Sequence, residues 1–363
     1  MVKRVCLVSG GTGGHLMPAL VLARALRDSG HEALLVTEGR DIERELHRAA
    51  LPDVPGVELP PAGKSRLALP FWLLRAMAKA RRLLREQQVD CVISTGGRPS
   101  VPVALAAKSL GKPVYLLEQN AVMGRANRLL QPVATRVYHG LPADGMSATR
   151  GLVTGTPLRP ELGGIDRGEA RRRLGLAADR PVVLVTGGSQ GARSLNEVVP
   201  PALLRQGARL QVLHLAGLGR DEEVRRRYAA GDGTIDVQVR PVTADMDRML
   251  GAADLVICRG GGATVAELMA VGRAAIVVPY PHHRDRQQLR NAEVLARAGA
   301  ALIVEEAALS VDAMAELVQC LLADPERLRA MGAAAKRLCG GDACVAILRD
   351  MGLLGAGPVG GGA

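Results

Sequence analysis

This 363-residue chain is poor in aromatic side chains, with four Tyr, one Trp and one Phe. So small a supply leaves little for the stacking platforms that hold single-stranded nucleic acid, and no zinc-finger or helix-turn-helix signature accompanies it. We expect no nucleic-acid partner, although 47 Lys and Arg against 36 Asp and Glu leave a net charge of +11 that favours some anionic ligand or surface. Long apolar runs are also missing. None approaches the ~18 residues of a membrane-spanning helix, and the apolar stretch after Lys3 and Arg4 stops at Val8, short of a secretory signal core. It reads as a first strand. The six cysteines contain no CxxC pair. Cys6, Cys91 and Cys258 lie in apolar strand-like runs, and Cys320, Cys339 and Cys344 in helical sequence, which fits buried reduced thiols better than disulfides or metal.

What is present is a globular composition, 48% apolar and 23% charged, at a length that exceeds one hydrophobic core. Residues 5–9, 33–37, 91–94 and 114–118 read as strands and alternate with helical stretches at 18–29, 42–50 and 101–110. The rhythm restarts at 182–186 and continues through 211–216, 236–239, 255–258 and 275–279. Alternation of this kind predicts parallel sheets with crossover helices, here two doubly wound α/β domains. Val5-Cys-Leu-Val-Ser-Gly-Gly11 and Val182-Val-Leu-Val-Thr-Gly-Gly188 repeat one strand-plus-diglycine device, 187 − 10 = 177 residues apart. We expect a first domain over 1–155, a second over 156–335, a C-terminal helix within 336–354 and a disordered tail at 355–363.

Three glycine-rich turns carry the candidate chemistry. In Ser9-Gly-Gly-Thr-Gly-Gly-His-Leu-Met-Pro18 a strand runs into a turn, with a helix expected to start near Pro18. Glycines let backbone N–H groups approach an anion, and the helix dipole assists. The dinucleotide fingerprint fails, because Leu16 stands where its third glycine belongs, and no Walker lysine follows. His15, at the carboxyl end of the first strand, is placed where open α/β sheets bind ligands, and a neutral imidazole there can act as a base. The second turn, Thr186-Gly-Gly-Ser-Gln-Gly-Ala192, offers Ser189 and Gln190. The third, Cys258-Arg-Gly-Gly-Gly-Ala-Thr-Val-Ala-Glu267, puts Thr264 and Glu267 at a helix start, where Glu267 either closes a capping box with Thr264 or accepts from a ribose diol. His282-His-Arg-Asp-Arg-Gln-Gln288 pairs basic residues with amides that suit sugar hydroxyls, and its adjacent histidines lack a third metal ligand.

Taken in order, Gly10-Gly-Thr-Gly-Gly-His15, Glu118-Gln-Asn120, Gly187-Gly-Ser-Gln-Gly-Ala192, the Cys258–Glu267 segment and Asp285-Arg-Gln-Gln288 resemble the MurG family, over roughly residues 3–345. The resemblance implies a GT-B fold, two Rossmann-like doubly wound domains facing across a cleft. It implies inverting transfer of GlcNAc from UDP-GlcNAc to lipid I, the undecaprenyl-diphosphate-linked MurNAc-pentapeptide of peptidoglycan synthesis. It further implies that the C-terminal helix crosses back to the first domain, that Thr12, Gly13 and Gly14 meet a phosphate region, and that Asn120 faces the sugar. Arg159 and Ser189 would lie at the UDP-sugar, Thr243 beside the uracil, Glu267 on the ribose, Gly262, Ala263 and Thr264 among the substrate-binding residues, and Gln287 and Gln288 on GlcNAc hydroxyls. His15 is then the candidate base. Gly96, Gly97, Arg98 and Glu118 form the implied acceptor side, with two departures from the family pattern: Arg98 replaces tyrosine, and Leu117 the histidine before Glu118. Arg98 is expected to meet the lipid diphosphate. Asp245-Met-Asp247 has the DxD spacing of metal-dependent transferases but reads as helix N-capping, so we expect no metal and no cofactor.

Residues 64–85 hold Lys64, Arg66, Arg75, Lys79, Arg81, Arg82 and Arg85, no acid, and the only Phe and Trp, Phe71 and Trp72. Aromatics beside cations suit a bilayer interface, and Phe71, Trp72, Arg75 and Lys79 are the expected contacts with an anionic membrane surface, peripheral and on the cytoplasmic face. A buried amphipathic helix is the alternative there. For the whole chain the alternatives are another GT-B UDP-sugar:lipid transferase, a UDP-GlcNAc epimerase, a non-catalytic nucleotide-sugar-binding protein and, last, an NAD-dependent oxidoreductase.

Overall fold

The computed structural model describes residues 1–10, 13–60, 69–143, 146–207, 210–231 and 234–354. Thr12, Lys64, Arg66 and the tail at 355–363 lie outside the described residues. The chain divides into two compact units, Met1–Leu158 with Gly340–Ala363, and Arg159–Cys339.

In the first unit, strands β1 (Arg4–Ser9), β2 (Glu32–Thr37), β3 (Gly56–Glu58), β4 (Cys91–Gly96), β5 (Val114–Glu118), β6 (Arg136–His139) and β7 (Gly151–Val153) form one parallel sheet. Their order is β3-β2-β1-β4-β5-β6-β7. The crossovers carry α1 (Gly13–Asp28), α2 (Asp41–Ala50), α3 (Leu69–Glu86), α4 (Ser100–Ser109) and α5 (Arg125–Leu130). Strand β1 sends Val5 and Leu7 to one face, into a core with Leu16 and Leu20 of α1, and Cys6 and Val8 to the other, with Leu84 of α3 and Val103 of α4. Burial on both faces is why this strand is a continuous apolar run instead of an alternating one. Helix α1 begins at Gly13, five residues before the expected start, and takes Pro18 inside it. Pro18 stands in the second turn, where it forgoes the N–H bond to the Gly14 carbonyl and crowds that oxygen.

The second unit repeats the plan with β8 (Val182–Thr186), β9 (Gln211–Leu215), β10 (Asp236–Arg240), β11 (Leu255–Cys258), β12 (Ala274–Val277) and β13 (Ala301–Ile303), all parallel. Their order is β10-β9-β8-β11-β12-β13. Its helices are α6 (Arg167–Arg173), α7 (Arg193–Leu204), α8 (Asp221–Ala229), α9 (Met246–Ala252), α10 (Gly262–Val271), α11 (Gln287–Arg297), α12 (Val311–Leu322) and α13 (Pro325–Leu338). Because α13 continues to Leu338, the second unit ends at Cys339 instead of 335, and the first boundary falls after Leu158 instead of 155.

The final helix, α14 (Ala343–Asp350), belongs to the first unit. Asp342 caps it, accepting from Cys344 N at 2.8 Å and Val345 N at 3.2 Å. Cys344, Ile347 and Leu348 join the α1 side of the core. Asp350 receives Arg136 through Nε at 3.1 Å and Nη2 at 2.9 Å, and the Tyr138 hydroxyl at 2.9 Å. One turn on, the Leu353 carbonyl meets His31 Nε2 at 2.7 Å.

In each sheet the strand order reverses once, between β1 and β4 and between β8 and β11. Chains leaving these neighbours go to opposite faces, which opens a crevice at the carboxyl ends of the strands. Glycines follow all four strands there: Gly10 after β1, Gly97 after β4, Gly187 and Gly188 after β8, and Gly260 and Gly261 after β11.

Candidate active site

In the first unit, His15 is the third residue of α1 and is half-buried. Its Nδ1 lies 3.0 Å from Oε1 of Gln119, whose Nε2 donates to the Thr95 carbonyl at 3.1 Å. Gln119 is buried and follows the end of β5, a placement that needs the sheet to bring residue 119 to residue 15. Gly13 and Gly14 are the first two helical residues, so their N–H groups have no intrahelical partner. The β1–β4 register shifts between Val8 and Ser9, pairing Val8 with Ser94 but Ser9 with Gly96. Beyond this bulge the two glycine loops touch. A Cβ on Gly97, at φ +92°, would collide with the Gly10 carbonyl, so that position accepts only glycine.

Gly96 and Gly97 therefore form a close backbone seat, and Arg98 beside them is exposed. Glu118, expected on the acceptor side, is instead buried with both oxygens engaged. Oε1 accepts from Asn120 N and Nδ2, each at 3.1 Å, and Oε2 from Gly124 N at 2.8 Å and Asn127 Nδ2 at 3.0 Å. Its work is to shape the loop that presents Asn120. Leu117 is buried in the core on the α1 side of the sheet.

In the second unit, the turn after β8 leaves Ser189 and Gln190 exposed. Gly191, at φ +68°, closes it with an N–H to the Gly188 carbonyl at 2.9 Å. A Cβ there would strike the Ala216 carbonyl. That carbonyl is held from below: Asn196 Nδ2 donates to it at 2.9 Å, and Asn196 Oδ1 faces His214 Nε2 at 3.1 Å. His214 Nδ1 lies 2.9 Å from the Tyr228 hydroxyl, and burial pushes His214 down to about 3, so the chain stays neutral.

Helix α10 opens with Gly262, Ala263 and Thr264 after the extended Gly261, which occupies the cap position without a side-chain bond. The capping box expected between Thr264 and Glu267 therefore does not form, and Glu267 stands in the second turn, not the first. Burial pushes its carboxyl up to about 7, with the charge of Arg159 drawing it the other way. Arg159 itself reaches the Ala244 carbonyl at 3.3 Å, next to Thr243, whose hydroxyl accepts from Asp245 N at 2.9 Å. Asp245 precedes α9 but makes no side-chain cap; it pairs with Arg248 at 2.8 Å.

Gln287 and Gln288 are the first two residues of α11, after Arg286 in the left-handed region. Gln288 Oε1 accepts from Tyr280 N at 3.0 Å, which leaves its NH2 for a ligand. Sequence reasoning passed over Arg259, whose buried guanidinium bonds the carbonyls of Val278 at 3.0 Å and Pro279 at 3.2 Å, Glu306 at 2.6 Å and Ser194 at 2.9 Å. Nothing local signals this, since its partners come from three other segments. His282 and His283 are exposed and pack edge-on to Tyr280. Among the described residues no cluster of three or more His, Cys, Asp or Glu is arranged to hold a metal.

Helix α3 buries Ala76, Ala80 and Leu84 and leaves Phe71, Leu74 and Arg75 exposed on the opposite stripe. Trp72 is half-buried and donates its indole N–H to the Pro60 carbonyl at 2.8 Å, and Lys79 reaches the Glu58 carbonyl at 2.8 Å. Both are turned back onto the protein. No helix among the described residues is long and apolar enough to cross a membrane.

Residues 5–139 match the glycosyltransferase family 28 N-terminal domain, and residues 182–340 the family 28 C-terminal domain. The UDP-N-acetylglucosamine--N-acetylmuramyl-(pentapeptide) pyrophosphoryl-undecaprenol N-acetylglucosamine transferase of Stutzerimonas stutzeri is 40% identical over 353 residues, 94% of this chain and 96% of that protein. The enzyme of the same name from Ectopseudomonas mendocina is 41% identical over the same coverage. Among solved structures, MurG of Acinetobacter baumannii superposes with a TM-score of 0.81 at 31% identity, covering 97% of this chain and 100% of that one. A UDP-N-acetylglucosamine 2-epimerase, 14% identical with a TM-score of 0.65 over 97% of each chain, shares the fold alone. Two parallel-sheet Rossmann-like units, both family 28 domains and full-length identity of this degree give one result: the chain belongs to the MurG family of GT-B glycosyltransferases.

Proposed function

We infer that this chain moves GlcNAc from UDP-GlcNAc to the 4-hydroxyl of the MurNAc of lipid I, with inversion, forming lipid II. Identity of 40–41% across both units to transferases named for that reaction carries the reading. His15 serves as the base: its Nε2 takes the proton of the acceptor hydroxyl as the oxygen attacks the anomeric carbon and UDP departs. A positioned base is worth ~10² to 10⁴ in rate. Charge on the departing diphosphate is met by open N–H groups at the start of α10 and by Arg159. Glu267 takes the ribose, Gln287 and Gln288 the GlcNAc hydroxyls, Thr243 the uracil edge through its backbone, and Ser189 the diphosphate side. Gly13 and Gly14 meet a phosphate region, Asn120 faces the sugar, and Arg98 serves the acceptor.

The reaction as we read it needs no metal and no cofactor. Asp245, the first acid of the DxD spacing, pairs with Arg248 at the surface, and in this reading N–H groups and Arg159 meet the leaving-group charge in place of an ion. Peripheral attachment to the cytoplasmic membrane face is assigned to the stripe of α3 that begins with Phe71 and Leu74 and continues through Arg75 and Arg85, since apolar anchors beside cations favour an anionic leaflet. No role with nucleic acid is assigned. The test is UDP release from UDP-GlcNAc with a lipid I analogue in EDTA, comparing the wild type with His15→Ala. Acceptor-dependent release that survives EDTA and disappears in a folded variant still able to bind UDP-GlcNAc is the expected result. Release without acceptor, or conversion of UDP-GlcNAc to an epimer, would overturn the reading.

A further inference from the structure

We propose that Gln119 is a positioning residue that fixes His15 as its Nδ1–H tautomer and so leaves Nε2 as the proton acceptor; this rests on His15 being the base. Thr95 is the residue that the β1–β4 register skips, between Ser94 and Gly96. Its carbonyl accepts from Gln119 Nε2 at 3.1 Å. A carbonyl oxygen only accepts, so the Gln119 amide must turn its NH2 toward Thr95, and Oε1 is then the atom facing His15 Nδ1 at 3.0 Å. Oε1 likewise only accepts. The hydrogen therefore sits on Nδ1, and in the neutral imidazole the lone pair sits on Nε2. Within the described residues Nε2 makes no hydrogen bond of its own.

The opposite amide orientation would set two acceptors against each other in a side chain that is 2% exposed, where no water replaces the lost bonds. The ring is also held by contact. A Cβ at Gly96, at φ +105°, would stand 3.1 Å from Nδ1, so the imidazole rests on backbone that only glycine can supply. The charged groups around it leave the amide as its partner. Helix α1 has no acid in its first turn, and the Glu118 carboxylate is saturated by Asn120, Gly124 and Asn127. In free imidazole the Nε2–H form is the more populated, so the bulge carbonyl, the amide and the glycine together select the less common tautomer.

Nitrogen-15 spectra of the full-length protein, labelled at histidine and recorded at alkaline pH, report the tautomer directly. His15 is assigned by the resonances missing from His15→Ala. The expected result is an Nδ1–H signature in the wild type. In Gln119→Leu it shifts toward Nε2–H while kcat falls by at least about tenfold, and by no more than the ~10² to 10⁴ that removing His15 costs. The KM for UDP-GlcNAc stays within about twofold, which a general disruption of the site would not leave unchanged. An Nε2–H signature in the wild type overturns the proposal even if Gln119→Leu fails to fold. So does a folded Gln119→Leu that keeps the Nδ1–H signature and full kcat. Undiminished turnover in His15→Ala, with the wild-type Nδ1–H signature intact, would instead remove the base reading and leave the tautomer lock standing.

Discussion

With Glu267 on the donor ribose, as proposed, donor binding is linked to pH. Burial raises its carboxyl to about 7 in the free protein, whereas a ribose diol donating hydrogen bonds favours the ionised carboxylate. Binding of UDP-GlcNAc should therefore expel a proton wherever Glu267 holds one beforehand. At pH 6 about 0.9 of the sites are protonated and at pH 8 about 0.1. If the bound carboxylate returns to the ordinary range, apparent affinity is about tenfold weaker at pH 6 than at pH 8, ~1.4 kcal/mol, and level above that. UDP-GlcNAc is a diphosphate diester with no ionisation of its own in this window, so it is a cleaner probe than UDP. Titration calorimetry in two buffers of different ionisation enthalpy counts the protons: close to one released at pH 6, almost none at pH 8. Stability moves with the same group. Its folded value lies above the unfolded 4.5, so it costs nothing below that pH, and its desolvated charge subtracts stability as pH rises to about 7, by at most ~3 kcal/mol. Ligand-free Glu267→Gln is thus expected to match the wild type at pH 4.5 and exceed it at pH 8. Absence of proton release at pH 6 from a wild type that binds, or equal release from Glu267→Gln, would refute the reasoning.

Arg159→Ala removes the charge that draws Glu267 down, so the pH at which UDP-GlcNAc affinity levels off should move upward, measured by the same titration, along with a raised KM. Asp350→Ala leaves the buried Tyr138 hydroxyl without its acceptor, a loss of ~1–3 kcal/mol at neutral pH that denaturant unfolding would report. Because Arg136, and then Tyr138, hold the Asp350 carboxyl below the ordinary range, that contribution is present at neutral pH and fades as pH falls through the depressed value. Phe71→Asp/Leu74→Asp, both at exposed positions, should lower sedimentation with anionic vesicles while leaving UDP-GlcNAc affinity intact; unchanged sedimentation would move the anchor elsewhere. Arg98→Ala should raise the KM for the lipid acceptor and leave that for UDP-GlcNAc unaltered, and an unchanged acceptor KM would end its assignment to the diphosphate.

How far such a site can be read from residue order depends on the range of the interactions that build it. The central strands β5, β8 and β11 were legible to their end residues, because a strand buried on both faces must be an unbroken apolar run. Strands β3, β7 and β13 have three residues each and are partly exposed, so neither burial nor length marks them. Local rules also failed where glycine was involved. Four glycines before His15 read as a turn, yet two of them are helical, and the box spacing of Thr264 and Glu267 was void once Gly261 took the cap.

The pattern of hits and misses follows the topology. Diglycine turns are visible because each needs its glycines for contacts made at a switch point, and two parallel sheets supply two such points 177 residues apart, as 187 − 10. The roles of Gln119 and Arg259 are not readable locally because they depend on partners from distant segments: for Gln119 the Thr95 carbonyl, freed by a register shift in β4, and for Arg259 the carbonyls of Val278 and Pro279 after β12, with Glu306 and Ser194. A single sequence marks Gln119 as one polar residue after a strand. Only the bulge that frees the Thr95 oxygen gives its amide an orientation, and only that orientation gives His15 a defined lone pair. The glycine turns are thus written locally, and the groups proposed to set a proton's position are written in the pairing of strands.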